Sequence, residues 1–385
     1  MTRARLHRRL LVAMLAVVTL VAACSGSDAS EEEPLSAEGT EAPSAPSAGH
    51  GCEVAETDGE LVLFNWTEYI DPELIDRFRD EFAVDVVQEF FPNNEEMLTR
   101  VQAGGSGYDV VVPSDYMIGI MIEQDLLLPL DVTAIPNAEN VDEAFRSPPF
   151  DPEHRYHMPY QWGTTGIALD LSAAGTDDPD PTWGWLFDPE LSEASAAGMT
   201  LLDDPRETMG AALAYLGYSI NSTEESELQE AADLIAETRS RIEGYESDQF
   251  EDLLLDGETA VAHGYSGDFF AAFDADDAWD DYAYIVPEEG AVKWVDAMAV
   301  LADAPHPCTA HTFINFILNA RNGAQLTNWV FYASPNAAAE EFIDPEILED
   351  PAIYPPEEVE DNLEFLHDTG DVESQYTDLF EEAKG

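Results

Sequence analysis

The spacing of hydrophobic residues along the chain predicts strands that alternate with helices. Three short apolar runs have the length of buried strands, namely residues 61–64, 84–87 and 108–112. Helical spacing follows each run, and the predicted helices after the second and third runs are 94–103 and 117–128. The first helix should begin at Asp71-Pro72, since aspartate is a favoured N-cap and proline suits the first helical position. This alternation predicts a parallel sheet that is covered by helices.

The second half of the chain has a mixed pattern of helices and strands. Helical periodicity predicts helices at 208–216, 224–242 and 309–318. The strand candidates are 283–286 and 297–302. The part of the chain after residue 57 is longer than the ~100–200 residues of a typical domain, so we expect two domains or two lobes.

The first 23 residues have the pattern of a secretory signal peptide. A basic head with four arginines precedes an apolar run at 10–21, which is too short for a permanent transmembrane helix. Small residues then lead to Cys24, as in a bacterial lipobox, so we expect Cys24 to be lipidated and to become the mature N-terminus. An ordinary signal peptide with an incidental cysteine is the alternative. Residues 24–57 are rich in Ser, Ala, Glu and Pro, which predicts a disordered acidic tether.

The formal net charge of −65, from 80 acidic against 15 Lys and Arg residues, restricts the kind of ligand. Such a field repels nucleic acid and anionic surfaces and attracts cations. It therefore disfavours an anionic ligand. An acidic surface suited to high salt would give the same composition, so the charge alone names no ligand.

Two further cysteines, Cys52 and Cys308, remain if Cys24 carries lipid. Cysteines outside the cytoplasm commonly pair, so we expect a disulfide that fastens the start of the folded body to a late segment. Two buried thiols are the alternative, because cysteine also packs well as a small apolar residue.

Candidate ligand residues follow the first and third predicted strands. In an open parallel sheet, ligands bind beyond the carboxyl ends of the strands. The first strand runs into Asn-Trp-Thr-Glu-Tyr at 65–69, and the third runs into Pro-Ser-Asp-Tyr at 113–116. Both segments therefore place an aromatic ring and a carboxylate where a ligand is expected.

Six segments together give the chain a family pattern. They are LVLFNWTEYI at 61–70, YDVVVPSDY at 108–116, MPYQWGTTGIALD at 158–170, LLDDPRET at 201–208, WVDAMAV at 294–300 and INFILN at 314–319. The sequence resembles the spermidine/putrescine-binding lipoproteins of bacterial polyamine ABC importers. The resemblance implies an α/β, two-lobed periplasmic-binding fold of type II. Each lobe would have a mostly parallel sheet flanked by helices, and the ligand would lie between the lobes.

The resemblance also implies how the chain is divided and where it works. Lobe 1 would comprise residues 58–165 and 294–340, and lobe 2 would comprise residues 166–293 and 341–385. The protein would be held outside the cytoplasm, on the outer face of the cell membrane or in the periplasm, by lipid on Cys24. It would bind putrescine or spermidine without a cofactor or metal and deliver it to a membrane permease with a cytoplasmic ATPase.

Carried over residue by residue, the resemblance implies a ligand site of aromatic, hydroxyl and acidic side chains. These are Trp66, Thr67, Tyr69, Ser114, Tyr116, Asp204, Glu207, Tyr265, Trp294, Asp296 and Tyr332. Acids would meet the ammonium groups, while rings would pack on methylenes and attract the charges by cation–π interaction. Tyr265 stands where the family has a tryptophan, and Leu366 lies near a family glutamine. The choice between putrescine and spermidine therefore stays open.

The same residues permit structural interpretations. The aromatic residues could belong to the core. Asp204 precedes a proline and could be a helix N-cap, with Glu207 as its capping-box partner. Asp296 is harder to explain in this way, because an unpaired acid within a strand pattern is costly without a cationic partner.

The motif content disfavours an enzyme. Nucleophile-elbow, zinc-protease and nucleotide-binding glycine motifs are absent from the sequence, and the adjacent acids Asp203 and Asp204 would point to opposite faces of a strand. Four histidines have spacings that could suit a metal but lack thiolate partners: His154, His157, His306 and His311. A sugar, an amino acid or another cationic amine is the alternative ligand, and a purely structural surface protein is the third class.

Overall fold

A computed structural model describes residues 51–192 and 198–385. The predicted signal peptide, Cys24 and the predicted tether up to residue 50 lie outside these ranges. Within them the strands are β1 (Leu61–Asn65), β2 (Val86–Phe90), β3 (Val110–Val111), β4 (His157–Asp170), β5 (Met199–Leu201), β6 (Ile242–Tyr245), β7 (Val261–Tyr265), β8 (Tyr282–Ile285), β9 (Ala291–Val300) and β10 (Leu363–Glu364).

The helices of the described ranges cover the strands and form most of the connections. They are α1 (Pro72–Phe82), α2 (Asn94–Gln102), α3 (Asp115–Glu123), α4 (Leu171–Ala174), α5 (Gly184–Phe187), α6 (Pro189–Ser192), α7 (Pro205–Tyr215), α8 (Glu225–Thr238), α9 (Phe250–Leu255), α10 (Ser266–Asp276), α11 (Pro307–Ile317), α12 (Ala320–Val330), α13 (Pro345–Leu348), α14 (Glu357–Glu360) and α15 (Glu373–Lys384). Within the same ranges, no helix has the length and apolar character that crossing a membrane requires.

The strands form two parallel groups that are joined by two antiparallel strands. The order along the sheet is β2-β1-β3-β9-β4-β7-β5-β6, with β10 beside β9 and β8 beside β4. In the first group β1 pairs in parallel with β2 and β3, and in the second β5 pairs in parallel with β6 and β7. Between them, β9 is antiparallel to β3 and β4, and β4 is antiparallel to β7.

Strand β4 changes partners along its length. Its first part pairs with β9, through His157 to Thr164, and its second part pairs with β7, through Thr165 to Leu169. The central glycine of the strand, Gly163, lies against two rings. A Cβ atom there would come within 2.8 Å of Trp294 Cζ2 and 2.9 Å of Tyr332 Cδ1. Only glycine therefore lets β4 approach these rings without a shift.

Helix α1, which connects β1 to β2, buries its apolar stripe. Leu74, Ile75 and Phe78 are buried, and the ring of Phe78 lies edge-on to Phe313 of α11 at 5.2 Å. Asp71 is the N-cap of α1, as predicted, because its side chain accepts a hydrogen bond from the Glu73 amide. The first predicted helix therefore follows from its cap and its periodicity.

The N-terminal segment is fastened to helix α11. Cys52 and Cys308 form a disulfide that joins positions 256 residues apart. The hydroxyl of Thr312 donates to the carbonyl of Glu56 at 2.6 Å, and the Thr309 amide donates to Asp58 Oδ1 at 2.9 Å. The folded part thus includes residues 52–57, which composition alone assigns to the tether.

Several predicted elements differ from the structure at their ends or were missed. The helix predicted over 224–242 ends at Thr238, and the chain enters strand β6 at Ile242 after one 3-10 turn. The long strand β4 was not predicted as a strand, because its centre is rich in glycine, threonine and polar residues rather than apolar ones. The strand predicted at 84–87 lies at Val86–Phe90.

Candidate functional site

The ends of β1 and β3 meet where the two antiparallel strands leave the first parallel group. Trp66, directly after β1, donates from its indole Nε1 to the carbonyl of Val112 after β3 at 2.8 Å. Ser114 forms an isolated antiparallel bridge with Asp296 of β9. The two strand-end segments and β9 therefore converge, as expected for a ligand site at the carboxyl ends of parallel strands.

Four of the predicted aromatic side chains form a continuous row of rings, which we call the aromatic wall. Its ring centroids are separated by 5.4 Å (Tyr69 to Tyr332), 5.0 Å (Tyr332 to Trp294) and 6.1 Å (Trp294 to Tyr265). The members come from the loop after β1, the segment after α12, strand β9 and the end of β7. The indole nitrogen of Trp294 is buried and has no hydrogen-bond partner in the described chain, although a buried indole usually has one.

Asp296 lies on β9 beside the aromatic wall. It is only 5% exposed, and its Oδ1 has no hydrogen-bond partner among the described residues. Burial raises the pKa of Asp296 to about 7, an effect that the nearby hydroxyls of Ser114 and Tyr69 partly offset. Since a buried carboxylate is costly unless a charge meets it, this side chain is suited to a cationic ligand.

Asp204 and Glu207 lie at the start of α7. Asp204 is the N-cap, and its Oδ1 accepts hydrogen bonds from the amides of Arg206 and Glu207 at 2.9 and 3.1 Å. The helix-cap interpretation of Asp204 is therefore correct. Burial raises its pKa, and burial together with the charge of Asp204 raises the pKa of Glu207 well above its ordinary value. Glu207 Oε2 is buried without a hydrogen-bond partner in the described chain.

Arg206 is the basic side chain beside these acids. It is almost fully buried, and its Nη1 donates to Glu373 Oε2 of α15 at 2.7 Å. Its guanidinium carbon lies 4.6 Å from the ring centroid of Tyr376 and 5.8 Å from that of Tyr116. Arg206 thus fastens the C-terminal helix to the site and is already neutralised by its own partner.

Tyr116, on α3, is joined to an acid that the sequence interpretation missed. Its hydroxyl donates to Glu95 Oε1 of α2 at 2.9 Å, while Glu95 Oε2 is buried without a partner among the described residues. Burial, reinforced by the charge of Asp204, raises the pKa of Glu95 to about 7. Asp115, the neighbour of Tyr116, is buried as well, and burial raises its pKa well above the ordinary range.

A second missed group of acids lies near Tyr332. Burial raises the pKa of Asp268, on α10, to about 7, and the Tyr332 hydroxyl partly offsets the rise. Burial and the charge of Asp268 raise the pKa of Glu251, on α9, to about 9, and Glu68 adds to the effect. The sequence held a signal for two of these acids, because Asp268 lies three residues after the predicted Tyr265 and Glu68 directly precedes Tyr69, but it held none for Glu251.

The other three predicted positions are Thr67, Trp66 and Ser114, and of these Ser114 also bridges Asp296. Thr67 is exposed, and Trp66 packs partly on Phe91, with ring centroids 4.5 Å apart. Ser114 is held by Asn94, whose Nδ2 lies 3.1 Å from the Ser114 hydroxyl. Leu366 is buried within the main hydrophobic core.

The histidines do not gather into a metal site in the described residues. His154 and His157 lie beside Asp151, whose Oδ2 is 2.8 Å from His157 Nδ1, whereas His306 lies near Asp109. His311 accepts a hydrogen bond from the amide of Asp131 at 2.9 Å. The partners in these contacts are Asp151, Asp109 and Asp131, which lie outside the aromatic wall.

Comparison with known proteins places the chain among binding proteins. A family described as bacterial extracellular solute-binding protein matches residues 73–355. A putrescine/cadaverine-binding protein of Pseudomonas aeruginosa is 36% identical over 324 residues, which cover 83% of this chain and 91% of that protein. A solved structure titled as a putative spermidine/putrescine ABC transporter from Listeria monocytogenes is 36% identical, with a TM-score of 0.79, over 85% of this chain and 99% of that one.

A second similar solved structure is that of the TpPotD lipoprotein of Treponema pallidum, which is 30% identical with a TM-score of 0.73, over 84% of this chain and 99% of that one. These likenesses confirm the predicted α/β, two-lobed periplasmic-binding fold and the predicted family resemblance. The match to the family covers most of the chain, and the chain belongs to the bacterial extracellular solute-binding proteins.

Proposed function

We propose that the protein binds a polyamine, putrescine or spermidine, outside the cytoplasm as the substrate-binding component of an ABC importer. The observation that supports this most directly is the meeting of the aromatic wall with buried acids that lack cationic partners, above all Asp296. The relatives that carry polyamine-binding names over most of this chain's length point in the same direction.

The site has the chemistry that a flexible polyamine requires. Methylene groups can pack on the rings, and each ammonium group gains about 0.5–2 kcal/mol from a ring face, depending on desolvation. Micromolar affinity corresponds to about −8 kcal/mol, so a few ring contacts and charge pairs are sufficient. The acids come from separate elements, β9 for Asp296 and α7 for Glu207. They are thus able to meet different ammonium groups of one chain.

The proposed ligand contacts are the predicted set together with the acids that the structure adds. The predicted set is Trp66, Thr67, Tyr69, Ser114, Tyr116, Asp204, Glu207, Tyr265, Trp294, Asp296 and Tyr332. We add Asp268, because its carboxyl faces the Tyr332 hydroxyl. The ligand would bind between lobe 1 (58–165 and 294–340) and lobe 2 (166–293 and 341–385). The change of partners along β4 supports this division, since it falls between Thr164 and Thr165.

The wider role follows from the same proposal. The protein would hand the ligand to a membrane permease that a cytoplasmic ATPase drives, and it would catalyse no reaction. Lipid on Cys24 would hold it at the outer face of the cell membrane, and the tether would give the folded body freedom to reach the permease. The similarity to the lipoprotein of Treponema pallidum supports the anchor.

Titration calorimetry on the chain without its first 23 residues tests the proposal. Putrescine and spermidine should bind one to one at high salt, while 1,4-butanediol and butylamine should bind far more weakly. These controls keep the carbon chain but remove both charges or one charge. Heat that disappears at high salt without a fixed stoichiometry would mean that polyamines only coat an acidic surface. Equal binding of the diol would point to another class of solute.

A further inference from the structure

The candidate site contains more acids than its basic side chain neutralises. Seven acids of the described chain surround it: Glu95, Asp115, Asp204, Glu207, Glu251, Asp268 and Asp296. Arg206 lies among them, but it is bound to Glu373 of α15. The charge of the acids is therefore largely uncompensated within the described protein.

Buried oxygens without hydrogen-bond partners show where this excess lies. Among the described residues, one carboxylate oxygen is left without a partner on each of four side chains: Glu95, Glu207, Glu251 and Asp296. Desolvating an ionised carboxylate costs several kcal/mol or more when no charge or donor meets it. In the absence of ligand, these groups are therefore stable only when a proton or another cation neutralises them.

We propose that the empty site stores protons on these carboxyl groups and that a polyamine enters by exchanging its ammonium groups for them. An ammonium group approaches a protonated carboxyl, the O–H bond breaks, and the proton leaves to solvent as the ammonium–carboxylate pair forms. The charge of the site then changes little on loading. The inference rests on the proposed function and deepens it, since it concerns how the same site is regulated by pH.

Glu251 and Asp268 form one place where a proton is held. They lie on the consecutive helices α9 and α10, which pack through Phe250 and Phe269 with ring centroids 4.9 Å apart. The titratable groups that face the pair are acidic or phenolic: Glu68, Asp248, Asp252, Tyr265, Asp296 and Tyr332. None of them offers a positive charge, so the pair lowers its repulsion by keeping a proton.

Glu95 is the second place where a proton is held in the empty site. Its Oε1 accepts the Tyr116 hydroxyl at 2.9 Å, and its Oε2 is one of the unpartnered oxygens. The charges that act on it most strongly are those of Asp204 and Glu373, both acidic. Arg206 lies over the ring of the same Tyr116, but it is paired with Glu373. Glu95 and the Glu251–Asp268 pair thus approach the site from the first and second parallel groups.

The sign of the pH effect follows from proton exchange. Burial raises the pKa of Glu95, Asp268 and Asp296 to about 7, so these groups hold protons below neutral pH in the empty site. A bound ammonium lowers the pKa again, and protons are released. Affinity should therefore rise by about tenfold per pH unit for each proton released, and it should level off once the empty site is already ionised.

Calorimetry in several buffers measures the exchange directly. Putrescine is titrated into the protein at pH 7 in phosphate, PIPES and MOPS, whose heats of protonation differ and which carry no net positive charge, at one ionic strength. The slope of observed heat against buffer heat gives the number of protons released, and we expect about one or more. Glu251→Gln should release fewer protons. Glu258→Gln, the same change at an exposed position just after α9, should match the unchanged protein.

The outcomes separate this inference from the proposed function. Saturable binding without any buffer dependence would overturn proton exchange while leaving polyamine binding intact. Binding that weakens in proportion to added sodium, again without buffer dependence, would mean that a metal cation occupies the empty site. That result would overturn proton exchange as well. Absence of saturable binding would instead refute the proposed function. The measurement on the unchanged protein decides the matter even if Glu251→Gln does not fold.

Discussion

The substitution Asp296→Asn tests whether the Asp296 carboxylate contributes to ligand binding or to the stability of the folded protein. The substitution keeps the shape of the side chain and removes its charge. Asp296 is buried on β9, with Oδ1 unpartnered in the described chain. If the carboxylate exists for the ligand, its removal should weaken binding and at the same time stabilise the empty protein. A structural acid would give the opposite result for stability.

The loss of binding should be large. Removing one partner of a buried charge pair costs about 2–5 kcal/mol, so the Kd for putrescine should rise by about 30-fold or more. The size of the effect depends on desolvation, because an exposed pair contributes only about 0.2–1 kcal/mol. A change of less than threefold would therefore place Asp296 outside the contact set.

The gain in stability should depend on pH. Burial raises the pKa of Asp296 to about 7 in the folded protein, whereas an unfolded aspartate has a pKa near ~3.9. A raised carboxyl pKa favours the folded state at low pH, and this stability is lost as the pH rises towards 7. Between pH 5 and pH 8 the loss amounts to about 2–3 kcal/mol by linkage. Asparagine has no such loss, so its advantage should grow over this interval.

Denaturant unfolding at pH 5 and pH 8, without ligand and at high salt, measures this advantage. Asp378→Asn is the matched control, since Asp378 is exposed on α15. It should change neither the Kd for putrescine nor the pH dependence of the free energy of unfolding. A variant at position 296 that binds normally, or that is less stable than the unchanged protein at pH 8, would refute the reasoning.

Three further outcomes follow from the structure. Trp294→Leu should weaken putrescine binding about 2- to 30-fold, because a cation–π face is lost. Trp279→Leu, at a ring that is 40% exposed, should leave binding unchanged. Equal effects of the two substitutions in calorimetry would show that the aromatic wall does not contribute to binding. Cys52 and Cys308 should resist alkylation until reductant is added, and reduction should lower the free energy of unfolding by about 2–5 kcal/mol; rapid labelling of the oxidised protein would contradict the disulfide. The melting temperature should rise with salt, since screening reduces repulsion in a chain of net charge −65; a salt-independent melting temperature would show that this repulsion is unimportant.

The first parallel group was predictable because each signal there was local. Apolar runs marked β1 and β3, and the Asp71-Pro72 cap marked the start of α1. Strand β4 was not predictable in this way. Its centre contains Gly163 and Gly166, which permit close approach to Trp294 and to Tyr284, and this need arises only when the strands come together. Hydrophobic periodicity predicts which side chains face a core. It does not predict where glycine is needed because a neighbouring ring approaches the backbone.

The site was predictable to the extent that its residues lie in motifs or at strand ends. Tyr69, Trp294 and Tyr332 were placed in this way, and the structure joins their rings in one row. Glu95 and Glu251 were missed because each lies on a helix among many other acids. In a chain with 80 Asp and Glu residues, an acid is not distinctive until its burial and its neighbours are known.

The way the acids are held shows how the site keeps several buried acids in place before a ligand arrives. Asp204 is fixed by two amides at the start of α7, and Asp115 accepts the amide of Tyr116 at 2.8 Å. Asp296 is fixed by the pairing of β9 with β4 on one side and by its bridge with Ser114 on the other. The side chains of Asp115 and Asp204 and the backbone of Asp296 are thus ordered before a ligand arrives. Binding therefore loses little conformational entropy at these positions, and the cost of burying the acids, protonated in the empty site, falls on folding.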